Sequence, residues 1–163
     1  MLSQESLRQI DVEVAKYPPD QKQSAAMAAL RIAQVEKGWL SKETIAFVDG
    51  YLEMPDIAVF EVASFYNMYD LAPVGKYKIA VCTNLPCALS GGVHAAEHFK
   101  KRLGIDFNET TADGNFTLKE GECMGACGDA PVLLVNNHKM CSWMTREKID
   151  QLLSSLGEDA KHE

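Results

Sequence analysis

Lys76-Tyr77-Lys78-Ile79-Ala80-Val81-Cys82-Thr83-Asn84-Leu85-Pro86-Cys87 runs from a short β-rich segment straight into a pair of cysteines. Glu122-Cys123-Met124-Gly125-Ala126-Cys127-Gly128-Asp129-Ala130-Pro131 supplies a second pair, so the spacings are C-x4-C and C-x3-C. Each pair follows a predicted strand, which places both on loops at strand ends, where a rigid scaffold presents functional groups. Two loops meeting at one sheet edge bring four thiolates to one site. Cysteine thiolates are the ligands of iron-sulfur clusters, and two fall to each iron of a [2Fe-2S] unit. Gly125 and Gly128 are expected to permit unusual backbone angles, turning N–H groups toward cluster sulfurs, and Pro86 is expected to stiffen the first loop.

The same four residues leave alternatives open. Structural zinc also takes four thiolates, but its pairs more usually run C-x2-C, so these spacings favour iron-sulfur over zinc. A thiol-disulfide oxidoreductase would carry C-x-x-C beside the first strand, and the sequence has none there. Cys141 stands alone in Lys139-Met140-Cys141-Ser142-Trp143 and reads as a small apolar residue outside the site.

Working outward, the region from Val74 alternates strands and helices. A helix is expected from about Gly91 to Leu103, stopped by Gly104, and Asp113-Gly114 turns the chain into Phe116-Thr117-Leu118. Pro131 to Val135 reads as a buried strand. Asn136-Asn137 turns into a short strand ending near Trp143, and Thr145 caps a last helix facing Ile149, Leu152 and Leu153 inward. The order is written β-α-β-β-α.

The residues before Pro73 read as short helices. Ser3 caps the first, with Leu7, Ile10 and Val14 at helical spacing until Tyr17-Pro18-Pro19-Asp20. Gln21 to Lys37 carries a second, with Met27, Leu30, Ala33 and Gln34 near one stripe and Gly38 as its stop. Ser41 caps a third through Tyr51, and Pro55 suits the first turn of a fourth carrying Val59, Val62, Ala63 and Tyr66. The class is therefore α+β: a helical domain over residues 1–71, a second domain over 74–157 and a frayed tail over 158–163.

Composition bounds the function. In 163 residues, 47% hydrophobic and 24% charged, a core forms without disulfide staples. A net charge of -7 argues against nucleic acid, whose binders present a basic face. The opening MLSQESLRQIDVEVAKY lacks a basic segment followed by an apolar one, and no stretch approaches the ~18 apolar residues of a membrane span. The expectation is an intracellular protein without direct membrane insertion, whose five cysteines serve metal or redox chemistry rather than disulfides. The Asn108 and Asn115 glycosylation patterns lapse with that expectation.

Other motifs are weaker. His94-Ala95-Ala96-Glu97-His98 matches the H-x-x-E-H of inverted zinc proteases, but it is short and lacks a third ligand, so the histidines are expected to face solvent. Lys100-Lys101-Arg102 complements a helix C-terminus. Phe65, Tyr66 and Tyr69 fit a partner surface or a core equally well. The sequence holds neither G-x-G-x-x-G after a strand nor G-x-x-x-x-G-K-[ST], so a nucleotide or flavin is expected on another chain, and no catalytic residue is assigned here.

The two cysteine segments resemble the ligand loops of the thioredoxin-like [2Fe-2S] ferredoxins. Val62-Ala63-Ser64-Phe65-Tyr66-Asn67-Met68-Tyr69 and Pro73-Val74-Gly75-Lys76-Tyr77 resemble the join between helical region and ferredoxin domain in the respiratory complex I subunits of that family. The likeness runs from about Gln21 to Leu153. It implies a thioredoxin-like domain with one [2Fe-2S] cluster, Cys82 and Cys87 on one iron and Cys123 and Cys127 on the other. It implies an electron-transfer subunit of NADH-quinone oxidoreductase, exchanging single electrons with FMN on a partner that oxidises NADH, alongside further iron-sulfur subunits, on the cytoplasmic face of the inner membrane. The same module would fit the diaphorase part of an NAD-linked hydrogenase or formate dehydrogenase, and a zinc-stabilised interaction domain is the non-redox rival. His138 to Trp143 departs from the tyrosine-rich or acidic segment the family leads one to expect there.

Overall fold

The computed structural model describes residues 1–55 and 57–159 and divides into two compact units, Met1–Pro73 and Val74–Glu163. In the first, α1 (Gln4–Val14) starts at Ser3, whose side-chain oxygen accepts the Ser6 N–H. A 3₁₀ segment, Pro19–Ala25, leads into α2 (Ala26–Lys37), which stops at Gly38 with φ +80°. Then come α3 (Lys42–Tyr51), capped by Ser41, and α4 (Ala58–Phe65).

The buried face of α2 is Ala26, Ala29, Leu30, Ile32 and Ala33, while Met27 is exposed, so the stripe is rotated from the one expected. Small alanines face the core there, and the larger Met27 side chain turns out. Gln34 does something apolar counting misses. Its amide donates to the Met68 carbonyl at 2.9 Å and accepts the Asp70 N–H at 2.7 Å, latching the segment after α4 onto α2. Tyr69 is buried there, its hydroxyl donating to the Met27 carbonyl at 2.8 Å. Pro55 lies before α4 rather than in its first turn, and Tyr66 lies beyond its end with extended backbone.

The second unit is built on a four-stranded sheet of order β2-β1-β3-β4: β1 (Tyr77–Cys82), β2 (Phe116–Gly121), β3 (Leu133–Val135) and β4 (Lys139–Cys141). β1 runs parallel to β2 and antiparallel to β3, and β3 antiparallel to β4. A parallel neighbour needs a crossover. Here α5 (Leu85–Leu89) and α6 (Gly92–Leu103) supply it. Ala95, Ala96 and Phe99 of α6 share a core with Ile79, Val81, Leu118 and Leu133 of the sheet and Ile149, Leu153 and Leu156 of α7 (Arg146–Asp159). The structure thus adds α5 to the expected elements, and the short strand expected after Asn136-Asn137, left out of the β-α-β-β-α shorthand, is β4, ending at Cys141. Helix α7 continues past residue 157 through Glu158 to Asp159, and residues 160–163 of the expected tail lie outside the described residues. Among the described residues no helix is long and apolar enough to cross a membrane.

Candidate metal centre

The first cysteine pair is more regular than a loop. Cys82 is the last residue of β1, its N–H donating to the Val132 carbonyl at 3.1 Å, and Cys87 lies inside α5. Pro86 sits in the first turn of α5, where a missing N–H costs nothing, so it starts a helix rather than stiffening a loop. Five residues were too few for helical periodicity to show. Both thiols are buried, at 1% and 2% exposure.

The second pair follows β2 on irregular backbone. Gly125, at φ +69°, reverses the chain so that its N–H donates to Cys123 Sγ at 3.5 Å. Cys127 opens a single 3₁₀ turn, Cys127–Asp129, and the Ala130-Pro131 peptide that follows is cis. Gly128 lies within that turn and needs no left-handed angle, contrary to expectation. Cys123 and Cys127 are exposed, so the site is buried on one side and open on the other.

The thiols interact within each pair, and Cys127 is also felt by Cys82 and Cys87 of the first. Burial pushes the Cys87 thiol up to about 11, helped by a hydrogen bond with Cys82 and by the Cys82 and Cys127 charges, while the Val132 backbone opposes the shift. The Cys127 thiol is raised by desolvation, then by Cys123, with a smaller contribution from Cys82. Cys82, Cys87 and Val132 form a buried cluster with Met124, Ala126 and Ala130 packed against it. Cys141 is apart, half-buried against the main core, with burial raising its thiol. Among the described residues no three His, Cys, Asp or Glu side chains gather as a site for one ion. The thiols come as two interacting pairs. Such a donor set, all sulfur and paired, fits a two-iron cluster with one pair per iron.

Sequence reasoning missed two anchors of the second loop. The Trp143 N–H donates to the Asp129 carbonyl at 2.8 Å and the Met144 N–H to the Pro131 carbonyl at 3.0 Å, so the segment that departs from family expectation braces the cysteine loop from behind. These are backbone bonds, and no side-chain pattern announces them.

The remaining motifs resolve differently. His94 is exposed, but His98 is half-buried, its Nε2 lying 2.9 Å from Asp150 Oδ1, which also meets Arg102. His98 is therefore an inter-helix contact rather than a solvent-facing group. Lys100 bridges Glu97 and Asp106, a local tie at the end of α6. The aromatic trio splits: Tyr69 is core, Phe65 is 80% exposed and Tyr66 is partly so.

Sheet, helices and paired thiols define a cluster-binding module of the thioredoxin type. The chain belongs to the thioredoxin-like [2Fe-2S] ferredoxin family, whose model matches residues 10–157. It is 43% identical over 150 residues to an NADH-quinone oxidoreductase subunit of Rickettsia felis, covering 91% of this chain and 89% of that protein. The corresponding NADH-quinone oxidoreductase subunit of Rickettsia typhi is 47% identical over 125 residues, covering 76% and 74%. A further NADH-quinone oxidoreductase subunit, from Thermus thermophilus, is 38% identical over 142 residues, covering 87% and 78%. Among solved structures, an NAD+-reducing [NiFe]-hydrogenase in its H2-reduced state matches with TM-score 0.68 and 20% identity over 79% of this chain, which spans only 22% of the hydrogenase chain. That likeness is one of fold.

Proposed function

We propose that this chain is an electron-transfer subunit of an NADH-quinone oxidoreductase, with one [2Fe-2S] cluster held by Cys82 and Cys87 on one iron and Cys123 and Cys127 on the other. The observation that carries this reading is a buried thiol pair and an exposed thiol pair that follow the C-terminal ends of the adjacent parallel strands β1 and β2. When bound, the cluster supplies one-electron chemistry, which a two-electron hydride donor requires if its electrons are to leave singly.

The chain's own residues do the rest. Cys82 and Cys87 exclude water on the inner side, and Val132 N–H toward Cys87 and Gly125 N–H toward Cys123 place donors on the ligand sulfurs, one of the levers that set a cluster potential. The exposed side, with Cys123 and Cys127, is the face for the partner, which binds FMN and NADH and sits beside further iron-sulfur subunits. The helical residues 1–71 are the docking element, and the assembled chain is peripheral on the cytoplasmic face of the inner membrane.

The test is visible absorption and low-temperature EPR of anaerobically purified protein, with iron and acid-labile sulfide counted, before and after dithionite. A brown protein with about two irons and an S = 1/2 signal on reduction, altered by Cys82→Ser or Cys123→Ser, supports the reading. A colourless, zinc-bearing protein that also resists reconstitution overturns it. Deleting residues 1–37 should abolish assembly with the flavoprotein while sparing the cluster, and an assembly unaffected by that deletion rules out the docking role.

A further inference from the structure

We infer that Thr83 and Glu120 are positioning residues that hold the two cysteine segments in register for the cluster, an inference that rests on the iron-sulfur reading above. The parallel ladder between β1 and β2 has Cys82 and Gly121 as its last partners. Beyond them β1 leads into α5 and β2 into the irregular segment carrying Cys123. Side chains extend the join. Thr83 Oγ1 donates to Glu120 Oε1 at 2.6 Å, and Asn84 Nδ2 donates to Glu122 Oε2 at 3.4 Å. Both donors lie in the link between Cys82 and Cys87, and both acceptors lie within three residues of Cys123.

The Thr83 bond is the stronger of the two, being short and made to a carboxylate. It ties Thr83, the residue after Cys82, to Glu120 of β2, three residues before Cys123, at the point where backbone pairing stops. Cys82 is held independently through its N–H on the Val132 carbonyl, whereas Cys123 and Cys127 are exposed. The second loop is also held by the Trp143 and Met144 backbone bonds and by Met124, Ala126 and Ala130 packed against Cys82, Cys87 and Val132, and the side-chain clamp adds a direct tie between the two cysteine segments at the strand ends. Groups that orient metal ligands are worth about 10-fold to 100-fold in affinity.

Full-length protein, anaerobically reconstituted, is challenged with a chelator while the visible absorption decays, and the reduced EPR signal is recorded. Thr83→Val removes the hydroxyl at nearly constant shape and is expected to release iron roughly tenfold faster with altered g-anisotropy. Thr83→Ser keeps the donor and is expected to restore both. Glu120→Gln keeps an acceptor oxygen and is expected to release iron more slowly than Glu120→Ala. Wild-type release and an unchanged signal in Thr83→Val, or equal release in the two Glu120 variants, overturn the clamp. A wild-type chain that takes up no iron and sulfide fails the underlying reading instead.

Discussion

Gly92 lies so close to Cys82 that a Cβ placed on it would stand 2.7 Å from the Cys82 carbonyl oxygen, with the Cys87 carbonyl oxygen at 2.9 Å. These are backbone atoms of both residues of the buried pair, and they have nowhere to move without shifting the thiols. Gly92→Ala should cost about 1–3 kcal/mol by overpacking and lower the iron retained after reconstitution. Thermal unfolding with an iron assay checks this, and a variant with wild-type melting and full iron content contradicts the close-approach argument.

Tyr69 and Met27 give a second test. Tyr69→Phe removes the part-buried hydroxyl bond to the Met27 carbonyl and should cost about 0.5–1.5 kcal/mol in denaturant unfolding. Burial also holds the Tyr69 phenol up, at about 12 against the ordinary 10.0. The folded state therefore keeps that proton where the unfolded state loses it. The contribution is whole below about pH 10 and falls away as pH rises toward about 12. The wild type should lose more stability than Tyr69→Phe across that window, and parallel alkaline profiles would show that the phenol does not carry the effect.

What the sequence made legible follows from periodicity and from covalent chemistry. The cysteine pairs, the Ser3 and Ser41 caps and the Gly38 and Gly104 stops are local features, each decided within a few residues, and the structure shows the caps and stops in place. The orientation of α2 was not legible, because alanines are apolar on every side and only tertiary packing decides which of them faces in. Helix α5 was hidden by its length, and the brace from Trp143 and Met144 by being made of backbone. Thr83 and Glu120 looked like ordinary polar residues until the parallel register brought their segments together.

The Asn136-Asn137 turn tests how firmly β3 is fastened to β1. Both asparagines have positive φ, +51° and +63°, and Asn136 also reaches sideways, accepting the Lys78 N–H at 2.7 Å and donating to the Lys76 carbonyl at 3.1 Å. Asn136→Ala loses both bonds and leaves in left-handed backbone a residue without the short polar side chain that lets asparagine adopt it, so a cost of about 2–3 kcal/mol is expected. Asn136→Gly relieves the backbone but not the lost bonds and should recover only part of that cost. Urea unfolding midpoints decide it, and a glycine variant equal to wild type would mean the side-chain bonds contribute nothing.

Glu36 offers a pH test far from the cysteines. Its carboxylate accepts the Ser3 N–H through both oxygens, at 2.9 and 3.2 Å, and meets Lys37 at 2.9 Å. Hydrogen bonds from Ser6, Lys37 and the Ser3 backbone, in that order, hold its pKa down at about 2 against the ordinary 4.5. The folded state favours the ionised form, so this contribution is present above about pH 4.5 and is lost as pH falls toward about 2. In a pH series of amide NMR spectra the Ser3 resonance should move with a midpoint near 2, and Glu36→Gln should remove that transition. A Ser3 midpoint near 4.5 in the wild type would mean that the carboxylate is not tied to the start of α1, and the anchoring of that helix onto α2 would then rest on the packing of Ile10 and its apolar neighbours alone.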